Sequence, residues 1–296
     1  MANNCDFYNY IVISTDVFRQ EIVLFKCCIK NGPNEYITRI PFKDWDKIDP
    51  YQLCLDNIDK FGESHDDSLC GFCIEKGAEG RCYKTGNELK RVCVYTDFSC
   101  NANCTFCKSY QPSREKLRQD KSLRKNVKKI HFDILEKLKG HNIEVELTCI
   151  GEPFFYKSEI KQFFRNLKDN DYKKISIVTN GSLIDDEIIE LAKASNINFF
   201  FLVSLNVPNE KAYNEIMGLK NFDKTFNNVL KIKKAGIDIN TTFTICSDSL
   251  KYLNEYQGLF NTLKENNIRI EIREDYNNRE NLLKDERLHQ LQEWAK

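Results

Sequence analysis

Apolar positions along the chain switch between two rhythms from residue 91 onward. Short runs in which they are continuous or alternate predict strands at 91–97, 143–149, 175–179, 198–205, 238–245 and 269–273. The run Asn198-Phe-Phe-Phe-Leu-Val-Ser-Leu205 is apolar at successive positions and reads as a buried strand. Between the strands, apolar residues three and four apart predict helices. Val127, Ile130, Leu135 and Leu138 mark one over 123–138, and others follow at 157–167, 185–194, 210–217, 223–234, 250–265 and on to Lys296. Ala235-Gly236 supplies a glycine stop after the helix over 223–234.

Six strand–helix units in succession predict an α/β fold with a parallel sheet flanked by helices, as an open doubly wound sheet or as a full or partial barrel. No internal repeat, low-complexity tract or Gly/Ser linker breaks the series. Residues 1–90 differ. They hold strand-like 10–14 and 21–29, the turn signal Asn31-Gly-Pro33 and many of the cysteines, and they read as a small cysteine-rich extension ahead of a main domain over 91–296.

Composition narrows the function classes. With 296 residues, 41% hydrophobic and 30% charged, the chain can bury a real core. Its formal net charge is zero, which disfavours nucleic acid or an acidic membrane as a partner. No apolar run reaches membrane-spanning length and the Met-Ala-Asn-Asn-Cys start is no signal peptide, so the expected location is cytoplasmic, without a membrane partner. A basic run from Arg114 to Lys129 is interrupted by Glu115 and Asp120, and reads as a solvated helix face in preference to a contact for RNA or an acidic peptide. The four histidines, His65, His131, His141 and His289, show no paired spacing.

Thirteen cysteines change the picture. In a reducing compartment clustered thiols are metal ligands more often than disulfides. Cys149 and Cys246 stand alone in apolar runs and read as core thiols; the others all fall within the first 107 residues. Cys100, Cys104 and Cys107 lie in one C-x3-C-x2-C stretch directly after the strand over 91–97, and ligands in β/α folds sit at the carboxyl ends of strands. Three thiolates suit a [4Fe–4S] cube, whereas a closed zinc site would need a fourth ligand and no histidine is near. A cube held by three cysteines leaves one iron open to chelate a small molecule.

This motif, with Phe106 just before its third cysteine, resembles the radical S-adenosylmethionine (SAM) superfamily, and the resemblance extends over 91–296. It implies a partial (βα)6 barrel with an N-terminal cysteine-rich extension. It implies Cys100, Cys104 and Cys107 as ligands of a [4Fe–4S] cluster whose open iron binds the amino and carboxylate groups of SAM. Reduction of SAM there gives a 5′-deoxyadenosyl radical that abstracts a substrate hydrogen. Phe106 is then an apolar contact near the adenine. Cys149-Ile-Gly151-Glu152-Pro153 is similar to the family's Gly-Gly-Glu-Pro, with Ile150 in place of the first glycine, and implies that this backbone and Glu152 receive the methionine ammonium. Such an ammonium needs acceptors as it leaves water, and Glu152 is a charged one. Thr179-Asn180-Gly181 resembles a turn lining the SAM pocket. Ser204 and Asn206, in a stretch similar to the family's Ser-Leu-Asp, become candidates for the ribose or carboxylate, and Arg273 faces the same rim.

A second metal is expected from Cys70-Gly-Phe-Cys73, a chelating pair. One set of four joins it to Cys5 and one of Cys27 or Cys28; another joins it to Cys82 and Cys93 and would equally suit zinc. The first set resembles the SPASM or twitch regions that bind auxiliary [4Fe–4S] clusters in peptide-modifying members, although here it precedes the core. A second [4Fe–4S] cluster is favoured over zinc, since iron is already loaded nearby. Cys93, in the first strand of the series, and Cys54 also fit core thiols. The resemblance therefore implies an enzyme that modifies a peptide or small metabolite with electrons from an external reductant such as flavodoxin or ferredoxin. RNA modification is the enzymatic alternative, and a non-catalytic iron–sulfur or zinc protein the alternative outside enzymes.

Overall fold

The structure is a computed structural model that describes residues 10–25, 36–58, 89–107, 111–148 and 150–296. The cysteines Cys5, Cys27, Cys28, Cys70, Cys73, Cys82 and Cys149, and the turn at Asn31–Pro33, lie outside the described residues. The chain forms two compact units, one built from Met1–Asp97, Glu115–Leu147 and Asn170–Lys174, the other from Phe98–Arg114, Thr148–Asp169 and Ile175–Lys296.

The first unit contains β1 (Tyr10–Asp16), β2 (Glu21–Phe25), β3 (Thr38–Pro41), α1 (Pro50–Ile58) and β4 (Arg91–Tyr95). Helix α2 (Gln111–Gln119) precedes α3 (Lys121–Lys137) and β5 (Glu144–Thr148). Its strands run in the order β3-β2-β1-β4-β5. The β1–β2 and β2–β3 ladders are antiparallel, while β1–β4 and β4–β5 are parallel. Of the strands before residue 90, β1 is thus hydrogen-bonded in register to the first strand of the β/α series, Val12 lying opposite Cys93. Ser14 Oγ and Thr15 Oγ1 donate to the Tyr95 and Thr96 carbonyls at 2.8 and 2.7 Å and extend that pairing past the ladder. Across β4–β5, Arg91 meets Glu144 at 2.6 Å and Glu146 at 3.2 Å, which pins the register with a paired charge on one face.

The basic run expected as one helix face is divided between α2 and α3. Asp120 ends the first and caps the second, its side chain accepting from Leu123 N at 2.9 Å. Helix α3 buries Leu123, Val127, Ile130, Ile134 and Leu135, the stripe its spacing predicts. His131 lies in the same stripe. Burial pulls its pKa down to about 4, and the neutral ring shares a 2.7 Å hydrogen bond between Nδ1 and Thr96 Oγ1.

The second unit continues the alternation with α4 (Lys157–Arg165), β6 (Lys174–Thr179), α5 (Asp186–Ala194), β7 (Asn198–Ser204), α6 (Glu210–Met217), α7 (Phe222–Lys234), β8 (Asp238–Ile245), α8 (Leu253–Glu265) and β9 (Arg269–Glu274). The strand order is β6-β7-β8-β9, with β7–β8 and β8–β9 parallel. Two helices, α9 (Arg279–Leu282) and α10 (Glu286–Ala295), replace the single terminal helix expected, because the Asp285 side chain accepts from Arg287 N and starts a new helix there. Phe199, Phe201, Phe154 and Phe164 form one aromatic layer of the core, and Phe243, Tyr256 and Phe260 another. The result is an α/β fold with a mostly parallel sheet. Among the described residues no helix is long and apolar enough to cross a membrane.

Candidate active site

The site is built within the second unit, from the loop that follows β4 and the turns that follow β5 and β6, braced by the end of α6. The cysteine loop has few internal bonds of its own. Cys107 N donates to Cys104 O at 3.1 Å and Ala102 N to Cys100 Sγ at 3.4 Å. Its shape is imposed from outside. Asn103 N and Thr105 N donate to the Met217 and Ile216 carbonyls at the end of α6, each at 2.9 Å. These are carbonyls that a helix terminus leaves without intrahelical partners. The close approach depends on Gly218, the left-handed cap of α6 at φ +63°, where a Cβ would stand 3.3 Å from Asn103 Cβ. Asn277 Nδ2 holds the Phe106 carbonyl at 3.1 Å.

Glu152 ties three strand ends together. Its backbone N–H donates to Ser99 O at 2.7 Å. Its carboxylate accepts from Phe154 N at 3.2 Å, from Thr179 Oγ1 at 2.5 Å and from Asn180 N at 2.8 Å. Asn180 Nδ2 in turn donates to Asn101 Oδ1 at 3.0 Å, and Asn101 Nδ2 to Ser182 Oγ at 2.9 Å, which closes the network back onto the cysteine loop. Glu152 is 4% exposed, and burial outweighs these donors, raising its pKa to about 7. A carboxylate has about four acceptor positions, so three donors leave it room for one more, on Oε2. A cation arriving there would restore the charge that burial disfavours.

The three loop cysteines are free and half-buried. Burial first, then the Glu152 carboxylate, pushes the Cys100 thiol up to about 11, while Arg114 opposes the rise. Burial, then Cys107 and Cys100, pushes Cys104 up to about 12, again against Arg114. Arg114 itself is 5% exposed; Nη2 donates to Cys107 Sγ at 3.3 Å and to Ile150 O at 2.8 Å. Its Nε and Nη1 are buried without a hydrogen-bond partner among the described residues. Among the described residues no three His, Cys, Asp or Glu side chains are drawn around a single-ion position. The donor set of the loop is three thiols on separate backbone positions beside a cation with unused donors. That set fits an anionic four-iron cluster in which three irons each take one cysteine.

The remaining expected residues fall in different places. Phe106 and Gly151 are partly exposed; Pro153, Thr179 and Asn180 are buried around Glu152. Ser204 is partly exposed at the end of β7. Asn206 is 3% exposed and its amide is engaged by the fold: Oδ1 accepts from Thr244 N at 2.8 Å, and Nδ2 donates to Ser204 O at 3.3 Å. Its φ of +60° explains why asparagine is tolerated at that position. Arg273 is exposed and paired with Glu271 at 3.1 Å. Cys93 and Cys54 are both buried, as is Cys246. Sequence reasoning passed over Arg114, Asn101, Gly218 and Asn277. Arg114 was hidden inside a charge run, and the other three carry no motif of their own.

A mostly parallel α/β fold with a three-cysteine loop at a strand end, gathered around a buried glutamate, defines a class. The radical SAM superfamily matches residues 96–250, and the chain belongs to that superfamily. Membership implies an enzyme with a [4Fe–4S] cluster and SAM as cofactors. The chain is 27% identical over 183 residues to the radical SAM cyclopropyl synthase TigE of Paramaledivibacter caminithermalis, covering 58% of this chain and 38% of the relative. It is 28% identical over 139 residues to the "Probable GTP 3′,8-cyclase" of Methanococcus vannielii, covering 45% and 42%. It is 26% identical over 132 residues to the "Probable dual-specificity RNA methyltransferase RlmN" of Streptococcus agalactiae serotype Ia, covering 43% and 35%. The chain thus spans less than half the length of the curated relatives it matches.

Proposed function

We propose that this protein is a radical SAM enzyme that abstracts hydrogen from a peptide or small metabolite, with Cys100, Cys104 and Cys107 holding the cluster on a partial (βα)6 barrel. The observation that carries the reading is the Glu152 network, in which one buried glutamate bonds the cysteine loop through its backbone N–H and the turns after β5 and β6 through its carboxylate, which keeps an acceptor in reserve. When bound, the cluster and SAM supply a 5′-deoxyadenosyl radical. Everything else is the work of the chain. The three thiols would lose their protons to solvent as their sulfurs bind iron, since a coordinated thiol is deprotonated. Glu152 receives the methionine ammonium on Oε2, and the cation draws its pKa down so that the carboxylate is charged when occupied. The Thr179 and Asn180 donors hold that carboxylate in place, and the half-buried Phe106 covers the adenine side.

A second cluster on Cys70, Cys73, Cys5 and one of Cys27 or Cys28 is part of the proposal and rests on cysteine spacing. Its resemblance to regions found in peptide-modifying members favours a peptide substrate. Electrons come from an external reductant such as flavodoxin or ferredoxin.

The test is anaerobic reconstitution with iron and sulfide, addition of SAM and dithionite, and quantification of 5′-deoxyadenosine against Cys104→Ala. Product in the wild type alone supports the reading. A loaded cluster that neither binds nor cleaves SAM would make the protein an electron carrier instead. Candidate peptides and nucleotides are then compared for stimulation of cleavage; RNA that stimulates it, with a steep loss on raising salt, would favour RNA modification.

A further inference from the structure

Arg114 stands apart from the basic run it begins. Arg118, Lys121, Lys125 and Lys129 are exposed, whereas Arg114 is 5% exposed. A buried cation is costly unless something balances its charge and takes its donors. The described residues meet that need only in part. Nη2 reaches the Cys107 sulfur at 3.3 Å and the Ile150 carbonyl at 2.8 Å, and Nε and Nη1 have no hydrogen-bond partner among the described residues. A cysteine sulfur and a carbonyl by themselves do not explain why a guanidinium, and not a lysine or a glutamine, occupies this place. A thiolate bound to an anionic cluster does.

We propose that Arg114 is a positioning residue that aligns Cys107 and raises the reduction potential of the cluster by placing a buried positive charge and an N–H···S hydrogen bond at its third cysteine. The proposal rests on the reading of the three cysteines as cluster ligands. Reduction adds one electron from an external one-electron donor, dithionite in the test. No bond forms or breaks, and the guanidinium keeps its protons. The reduced form is the more negative of the two, so a fixed positive charge and a hydrogen bond to its sulfur favour it. Removing them makes the cluster harder to reduce. Outer-shell partners of metal ligands have effects of this kind on affinity and activity, about 10- to 100-fold.

The experiment compares wild type, Arg114→Gln, Arg114→Met and Arg114→Lys after reconstitution. Iron and sulfide content is measured first, then the midpoint by a redox titration followed through the EPR signal of the reduced cluster. At the wild-type midpoint, the two neutral variants are expected to show a reduced-to-oxidised ratio at least about tenfold lower, a shift of about 59 mV for one electron. Arg114→Lys keeps the charge without the planar fork and is expected between them and wild type. An unshifted midpoint in Arg114→Gln overturns the proposal. So does failure of both neutral variants to hold a cluster while Arg114→Lys holds one at the wild-type midpoint, which would make Arg114 a structural brace. Absence of any reducible cluster in the wild type overturns the cysteine assignment, and the role of Arg114 with it.

Discussion

Strand β4 and the loop that follows it carry cysteines seven positions apart, at Cys93 and Cys100, with opposite surroundings. Cys93 sits in a regular strand among Val12, Val23 and Phe25, with Tyr36 and Tyr95 packed against them, and is 6% exposed. The strand's alternation places its side chain on a covered apolar face, where a thiol acts as a small hydrophobe. Cys100, Cys104 and Cys107 come after the ladder has ended, on backbone whose hydrogen bonds go to α6, Glu152 and Asn277. Released from alternation, three side chains can serve one centre. Position relative to the strand end, more than the residue itself, separates packing from chemistry.

The largest effect expected is on the loop side of that contrast. Cys104→Ala should lose the cluster absorbance and bring 5′-deoxyadenosine to background, while unfolding of the apoprotein in urea changes by less than about 1 kcal/mol. Cys93→Ala should do the reverse: a normal cluster and normal SAM cleavage, with stability lowered by about 1–2 kcal/mol for the lost packing. Cluster loss in Cys93→Ala at full stability would erase the contrast.

Glu152→Gln comes next. It keeps the size of the side chain but not the charge for an ammonium, and SAM affinity in the loaded enzyme should fall by about 10- to 100-fold, as for a hydrogen bond to a charged group. The wild-type affinity should rise with pH through about 7, where Glu152 ionises, and that of Glu152→Gln should stay flat. The sign for stability is opposite. The folded state holds this proton more tightly than the unfolded chain does, so the stabilisation is complete below about 4.5 and disappears as pH rises through about 7. Urea midpoints of the SAM-free protein across that window, wild type against Glu152→Gln, measure it.

Gly181→Ala gives the smaller, mixed response. At φ +76° an alanine is strained, and its Cβ would lie 2.8 Å from Val203 Cγ1. Backbone strain and overpacking together should cost about 2–4 kcal/mol. Because this turn presents Asn180 to Glu152, SAM affinity should fall along with stability, unlike in Cys93→Ala.

Much of the architecture was legible along the chain. The strands over 238–245 and the helix over 210–217 have the ends that periodicity predicts. Boundaries moved where a polar side chain intervened: Asp120 created α2 and α3 from one basic run, and Asp285 divided the terminal helix. A capping residue looks like any other charge until its backbone partner is known. Within the site, Glu152, Thr179 and Asn180 were named from separate turns, but nothing in those turns says that one carboxylate joins them. Asn206 shows the converse, a polar residue at a strand end whose amide is engaged by Thr244 and Ser204 inside the fold.

By itself the sequence determined what depends on neighbours along the chain: the β/α alternation, the three thiols in one loop, and the polar turns at successive strand ends. Periodicity and spacing are local, and no packing arrangement can separate cysteines that lie within eight residues. Only the tertiary structure decided which of these groups lose water and to whom they turn. Burial raises the Glu152 pKa and joins it to residues 27 and 28 positions away; burial also takes Arg114 out of a solvated run and sets it against Cys107. Desolvation and long-range hydrogen bonding follow from the packing of distant segments, and those are the two terms that turn a cysteine motif into a site.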